Sequence, residues 1–135
     1  MKKKLFMPAT IILALLINLG AYAAEMSSPR YINISQLATA IQINSSGKAT
    51  CSGSYVLYKN HNATIQIELQ RSQDKKSWIS ETSWSRDFSA TTLGSIERNY
   101  YISSGYYYRV VTTLKVKSGN TIVETATGTS QTQNY

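Results

Sequence analysis

Near its C-terminus the chain contains a twelve-residue stretch, Tyr106 to Lys117, whose even-numbered positions carry no charge and are mostly apolar. The positive charges fall only at odd-numbered positions: Arg109, Lys115 and Lys117. Because successive side chains of a strand point to opposite faces of a sheet, this pattern predicts a strand with its odd-numbered face in solvent. Tyr106 and Tyr108 are then predicted to belong to the core face, where each hydroxyl needs a partner, and Tyr107 to face water.

A second stretch, Ala63 to Arg71, alternates in the same way, with Ile65, Ile67 and Leu69 on one face and Gln66, Glu68 and Gln70 on the other. Six less regular strands are predicted at 31–37, 40–43, 49–58, 77–88, 95–103 and 121–130. Polar turn clusters separate them: 44–47, 59–62, 73–76, 103–105 and 118–120. No window shows the 3.6-residue period of an amphipathic helix.

These patterns predict an all-β domain over residues 31–135, built as a single antiparallel β-sandwich of seven or eight short strands. Trp78 and Trp84 are six residues apart, so they are expected in phase on one face of their strand. Gly53 is expected to mark a β-bulge. Cys51, the one cysteine, is expected to be a small buried hydrophobe.

The N-terminus has the three parts of a secretory signal peptide over residues 1–23. Lys2, Lys3 and Lys4 precede an apolar stretch from Ala9 to Leu19, and Ala21-Tyr22-Ala23 matches a small-x-small cleavage site. The apolar stretch is short of the roughly 20 residues that a spanning helix needs. We therefore expect cleavage after Ala23, a short linker over 24–30, no integral membrane segment after cleavage, and a secreted, extracellular protein.

Charge and cysteine content narrow the classes of function. Removing 23 residues from 135 leaves 112, enough for one domain, and the three signal lysines leave 11 basic residues against 7 acidic ones. A weak positive charge spread along the chain, together with export, argues against nucleic-acid binding. A single cysteine and a single histidine, His61, argue against a metal site or a Cys–His enzyme. No cofactor is expected, and the protein is expected to be a monomer.

Two resemblances concern these strands. The sequence GYYYRVVTTLKV, from Gly105 to Val116, resembles the sixth strand of fibronectin type III and immunoglobulin-like modules, which implies a tyrosine-corner contact from Tyr106 or Tyr108. The order SWISETSWS, SIERNYYISSGYYYRV and a terminal Asn-Tyr is similar to an uncharacterised family of small secreted β-proteins of Gram-positive bacteria. That resemblance implies export and an all-β fold, and it implies no substrate.

The favoured function is a non-enzymatic binding or cell-surface interaction module, whose partner is an extracellular protein or a cell-wall polymer or glycan. Its candidate face is the side of the sheet that carries Gln66, Glu68 and Gln70 beside Tyr107, Arg109 and Lys115. An exposed tyrosine beside an arginine can stack on a sugar ring or a protein partner. Trp78, Trp84 and Tyr101 join the face if they are exposed. The simpler reading is that Glu68 forms an ordinary cross-strand ion pair with Arg109 or Lys115.

Two other functions stay open at this stage. A secreted antagonist, such as a bacteriocin or small toxin, is compatible with size, export and positive charge, but the mature chain lacks the basic amphipathic helix of membrane-active peptides. A small secreted hydrolase requires two carboxylates to meet across strands. The seven acidic residues are scattered, and no nucleophile or phosphate-loop motif accompanies them.

Overall fold

The computed structural model describes residues 23–26 and 31–135, and over them the protein is all-β. The predicted signal peptide lies outside the described residues except for Ala23. Seven strands form one antiparallel sheet, and their bounds are β1 Ala23–Met26, β2 Ile34–Ile43, β3 Lys48–Ser72, β4 Ile79–Tyr101, β5 Tyr107–Ser118, β6 Thr121–Thr129 and β7 Gln133–Asn134. The order is β1-β2-β3-β5-β6, with β4 paired to β3 and β7 paired to β5. Residues 23–26, expected at the cleavage site and linker, form the edge strand β1.

The sheet curls around β3, which has 25 residues. The N-terminal half of β3 pairs with β2, the C-terminal half pairs with β5, and β4 pairs with both halves. The two halves of the sheet therefore face one another, and β2 contacts β5 and β6 without pairing with either. The core lies between these halves.

Three of the expected strand boundaries are wrong, and at one of them a polar stretch bends a strand instead of reversing it. The predicted turn at 59–62 lies inside β3, where the pairing register with β4 shifts on both sides of His61. Asn62 holds this bend, because its Oδ1 accepts a hydrogen bond from Ala90 N at 2.9 Å and its Nδ2 donates to the Gly119 carbonyl at 3.3 Å. β4 also unites the predicted strands at 77–88 and 95–103. β2 unites those at 31–37 and 40–43, and its pairing with β3 continues unbroken through Ala38 and Thr39.

The predicted core face of β5 is confirmed. Tyr108, Val110, Thr112, Leu114 and Val116 are buried, as are Ile65, Ile67 and Leu69 of β3. The Tyr108 hydroxyl donates to the Ser103 carbonyl at 2.6 Å, which is the backbone contact expected of a tyrosine corner. Cys51 is buried as predicted, and burial raises the pKa of its thiol to about 12.

The bulge predicted at Gly53 is absent, since its pairing continues unbroken with both β2 and β4. Gly53 instead allows the two halves of the sheet to approach closely. A Cβ at this position would lie 2.8 Å from Thr112 Oγ1 and 2.9 Å from Ile67 Cγ2. A glycine within a strand often marks such a close approach.

One carboxylate ties the start of the domain to β6. Glu124 Oε2 accepts a hydrogen bond from Ile32 N at 2.8 Å, and Glu124 Oε1 accepts one from Asn33 N at 2.9 Å. Hydrogen bonds to an ionised acceptor are stronger than those between neutral groups. Glu124 therefore fastens the segment leading into β2 against the opposite half of the curled sheet.

Candidate functional site

The register of β3 and β5 places the predicted face on the outer side of the sheet. Opposite pairs are Ser72 with Tyr107, Gln70 with Arg109, Glu68 with Val111, Gln66 with Thr113 and Thr64 with Lys115. Arg109 and Lys115 lie six residues apart on one strand, roughly 20 Å. The structure thus brings Glu68 and Tyr107 near Arg109, while Lys115 lies at the far end of the face and Gln66 between them.

Trp78 reaches this face and Trp84 does not, so the expectation that the two tryptophans share a face is wrong. The pairing of β3 with β4 shifts between Leu69 and Gln70, where Leu69 pairs with Thr82 and Gln70 with Ser80. The residue between them, Glu81, is the extra residue of a bulge, which reverses the alternation before it. Trp84 therefore packs on the core, with its ring edge-to-face against Tyr100.

Four side chains on the outer face form a connected row, which we call the polar row: Glu68, Gln70, Arg109 and Trp78. Gln70 Nε2 donates to Glu68 Oε1 at 2.7 Å, and Arg109 Nε donates to Gln70 Oε1 at 2.8 Å. The Arg109 guanidinium lies 4.1 Å from the centre of the Trp78 ring. Burial lowers the pKa of Arg109, and the nearby Glu68 carboxylate acts in the opposite direction.

The ion pair that the sequence suggested for Glu68 is replaced by this relay through Gln70. Among residues 31–135 the ion pair that does form is between Arg71 Nη1 and Glu81 Oε1, which lie 3.5 Å apart. Because Gln70 bonds to Arg109 only at Nε, the two terminal nitrogens of the guanidinium are left for a ligand. A guanidinium fork of this kind matches the oxygens of a carboxylate or phosphate.

A second cation covers a second ring beside the polar row. The Lys75 ammonium lies 4.6 Å from the centre of the Tyr107 ring, and Tyr107 is two residues from Arg109 on the same face, about 7 Å along the strand. Lys75 has a positive φ of 65°, a conformation that non-glycine residues rarely adopt. This backbone conformation is part of the turn that presents the lysine to Tyr107.

The turn between β3 and β4 is held by two side chains. Ser72 Oγ accepts hydrogen bonds from Asp74 N and Lys75 N, and Asp74 Oδ1 accepts from Lys76 N and Ser77 N. These bonds lower the pKa of the Asp74 carboxyl, the bond from Ser77 most. The sequence predicted a turn at 73–76 and placed Gln70 on the outer face, but it did not predict Lys75 as a site residue. The Ser-x-Asp spacing of a side-chain-capped turn was the available signal.

Tyr101 is exposed but belongs to another part of the molecule. It is 71% exposed and lies opposite Lys48, at the end of β4 that pairs with the N-terminal half of β3. The polar row lies on the C-terminal half of β3, beyond the bend. Tyr101 therefore does not contribute to the face that contains Tyr107 and Arg109.

The acidic side chains near β3 and β4 are engaged in separate contacts: Glu81 with Arg71, Asp87 with Thr64, and Glu68 with Gln70. Within the described part of the chain, no three His, Cys, Asp or Glu residues are grouped so that they could hold a metal ion. What the outer face offers chemically is two fixed cations, each over an aromatic ring.

Comparison with models of protein families finds no match, and comparison with curated proteins finds none that is significantly similar. No helix within residues 23–26 and 31–135 is long and apolar enough to cross a membrane.

Proposed function

We propose that the protein is exported by its N-terminal signal peptide and acts as a non-enzymatic binding module at a Gram-positive cell surface. Its domain is a β-sandwich of the immunoglobulin or fibronectin type III kind, and the tyrosine-corner contact of Tyr108 supports that assignment. Its ligand is an anionic cell-wall polymer, bound at the polar row together with Lys75 and Tyr107. The resemblance to small secreted β-proteins of Gram-positive bacteria agrees with this setting.

One observation carries the proposal: two adjacent cations are held in place over aromatic rings. Arg109 lies over Trp78 and Lys75 over Tyr107. Long cationic side chains normally lose much conformational freedom on binding, and these two are already ordered by ring and hydrogen-bond contacts. A polymer with repeating negative charges can engage both cations at once, and its sugar or polyol units can contact the ring edges.

The test is co-sedimentation of mature protein, residues 24–135, with purified Gram-positive cell walls across a salt series. We expect binding that persists at high salt and that weakens about tenfold or more in Arg109→Gln, since fixed arginine and aromatic contacts dominate binding energies. Arg109→Lys keeps the charge and loses the fork, so it should also weaken binding. Tyr107→Ala should weaken binding because Lys75 loses its support.

Lys59→Gln is the matched control, because it removes one exposed positive charge from the bend of β3, away from the polar row. It should change wall binding by less than about twofold, as expected for a diffuse charge effect in moderate salt. Equal losses in Lys59→Gln and Arg109→Gln would reduce the interaction to nonspecific attraction. Undiminished binding to walls stripped of their anionic polymers would reject the polymer as ligand.

A further inference from the structure

A cleft opens at the same end of the sheet but on its opposite side, and we call it the tip cleft. It holds about 350 Å³, near the lower limit of small-molecule sites. Its walls include Arg71, Ser72, Asp74, Ser77, Ile79 and Tyr106. Arg71 pairs with Tyr108, which faces the core. The tip cleft is therefore separated from the polar row by the thickness of the sheet.

Arg71 has hydrogen-bond donors that the described residues do not satisfy. Its Nε is buried and has no hydrogen-bond partner among them. Its Nη1 lies 3.5 Å from Glu81 Oε1, longer than the 2.7–2.9 Å of a good charge-assisted bond. The guanidinium is nevertheless positioned, since it lies 4.6 Å from the centre of the Tyr106 ring. Unpaired buried donors are rare in native proteins and call for an explanation.

The other walls of the tip cleft combine acceptors with apolar surface. Asp74 uses Oδ1 for Ser72, Lys76 and Ser77, and its other carboxylate oxygen is left for a ligand. Ile79 is 54% exposed and forms an apolar wall. Tyr106 is half-buried and contacts Tyr108 edge-to-face, so its ring is fixed in place.

The charges around the tip cleft select against two classes of ligand. The charged side chains that line the tip cleft are Arg71 and Asp74, and Glu81 lies 3.5 Å from Arg71. The two carboxylates oppose the attraction of Arg71 for a free anion. A purely apolar ligand would leave the Arg71 Nε–H without an acceptor, which is costly once water is excluded. A neutral ligand that both donates and accepts hydrogen bonds avoids both penalties.

We infer that the tip cleft binds a neutral saccharide, one or two sugar rings in size. Vicinal hydroxyls of a sugar can accept from the Arg71 guanidinium and donate to the Asp74 carboxylate. The apolar face of a sugar ring can lie against Tyr106 or Ile79. This inference does not depend on the polar row, because the two sites share no side chain and lie on opposite sides of the sheet.

The experiment is a titration of ¹⁵N-labelled mature protein, followed by NMR, with three neutral disaccharides: chitobiose, maltose and cellobiose. The Arg71 Nε–H gives its own signal, which reports directly on the donor that lacks a partner. We expect at least one disaccharide to shift this signal and the Ser77 amide in a saturable manner. No saturable shift with any of the three at tens of millimolar overturns the proposal. Shifts with inorganic phosphate alone overturn it in favour of an anion site.

Arg71→Gln is expected to weaken disaccharide binding at least tenfold. The matched control is Arg86→Gln, because Arg86 also lies 4.6 Å from the centre of an aromatic ring, that of Phe88, but outside the tip cleft. It should leave the affinity unchanged, and an equal loss in both variants would contradict the assignment. Asp74→Asn keeps the Oδ1 acceptor of the turn and is expected to weaken binding without unfolding the protein.

The two proposals fail separately. Arg109→Gln should weaken retention on cell walls about tenfold or more and leave the disaccharide titration unaltered. Arg71→Gln should do the reverse. A variant of either arginine that removes both kinds of binding, with an unchanged unfolding midpoint, would show that one site serves both ligands and would overturn the tip cleft as an independent saccharide site.

Discussion

Strands β4 and β5 flank the same half of β3, yet they differ in regularity. β5 pairs with β3 from Ser72–Tyr107 to Asn62–Lys117 without a register shift, while β4 shifts register at Glu81 and again around His61. The far edge of β5 is covered by β6 and β7. Within the described residues β4 pairs with β3 alone.

The difference shows that a strand paired along both edges keeps a regular alternation of inward and outward side chains. Leu114 and Val110 of β5 are fully buried, whereas β4 places two exposed arginines at positions that pair with core residues, Arg86 opposite Ile65 and Arg98 opposite Cys51. Inward-pointing charges, bulges and bends are devices that keep an edge strand from pairing with other molecules. The irregularity of β4 therefore protects its edge, and β5, which has no free edge over most of its length, needs no such protection.

The largest expected effect on stability comes from making the same substitution, leucine to alanine, in each of the two strands. Leu114→Ala in β5 should lower the free energy of unfolding by about 2–5 kcal/mol, because it leaves a cavity in the core. Leu93→Ala in β4 should change it by less than about 0.5 kcal/mol, because Leu93 is 63% exposed. Urea unfolding of both variants measures this. Equal losses would show that β4 is as integral to the core as β5.

The bulge at Glu81 can be tested with the two tryptophans of this region. Trp84→Ala should destabilise the protein by about 2–3 kcal/mol, because Trp84 packs on the core. Trp78→Ala should cost about 1 kcal/mol, the scale of an exposed cation–π contact. The measurement is thermal or urea unfolding. A larger loss from Trp78→Ala would contradict the reversal of phase at the bulge.

The hydrogen bond from the Tyr108 hydroxyl has a smaller expected effect. Tyr108→Phe removes the hydrogen bond to the Ser103 carbonyl and keeps the buried ring, so it should cost about 1 kcal/mol. Tyr101→Phe removes a hydroxyl from an exposed ring in β4 and should have no measurable effect. If the two substitutions proved equivalent in urea unfolding, the contact of Tyr108 would not stabilise the fold.

The smallest effect concerns the turn that joins β3 to β4. Hydrogen bonds lower the pKa of Asp74 from its ordinary value of 3.8, so its contribution to stability is complete above that value and is lost as pH falls through the lowered pKa. Acidification below pH 3.8 should therefore loosen residues 74–77 first, seen as loss of amide protection by NMR. Asp74→Asn should remove this pH dependence. A turn equally protected at pH 2 and pH 5 would contradict it.

The parts of the fold that could be predicted from sequence are those in which alternation is strict. Tyr108, Ile67 and Cys51 were placed in the core correctly, and Arg109 and Gln66 were placed on the outer face. The face on which Trp78 lies could not be predicted, because a one-residue bulge cannot be recognised from the amino-acid composition of the strand. At Asn62 the sequence predicts a turn where the structure has a bend, since the same polar residues satisfy a bent backbone and a reversed one.

The candidate face was only half predictable for a similar reason. Arg109 and Glu68 could be assigned to one side from periodicity alone, but the relay through Gln70 depends on register between strands distant in sequence. The position of Lys75 over Tyr107 depends on a positive φ that lysine rarely adopts. The sequence does not distinguish Arg71 from other strand arginines, because its unmet donor becomes visible only in three dimensions.

The sharing of β3 by both halves of the curled sheet has a consequence for how the protein comes apart. Neither half of the sheet is complete without β3, because this one unbroken strand pairs with β2 in one half and with β5 in the other. Opening one half of the sheet would leave the other half with an unpaired edge and an uncovered core. The domain should therefore melt as one cooperative unit, with calorimetric and van't Hoff enthalpies in agreement. Such all-or-none behaviour would help the protein to withstand proteases, since partly opened forms would be scarcely populated.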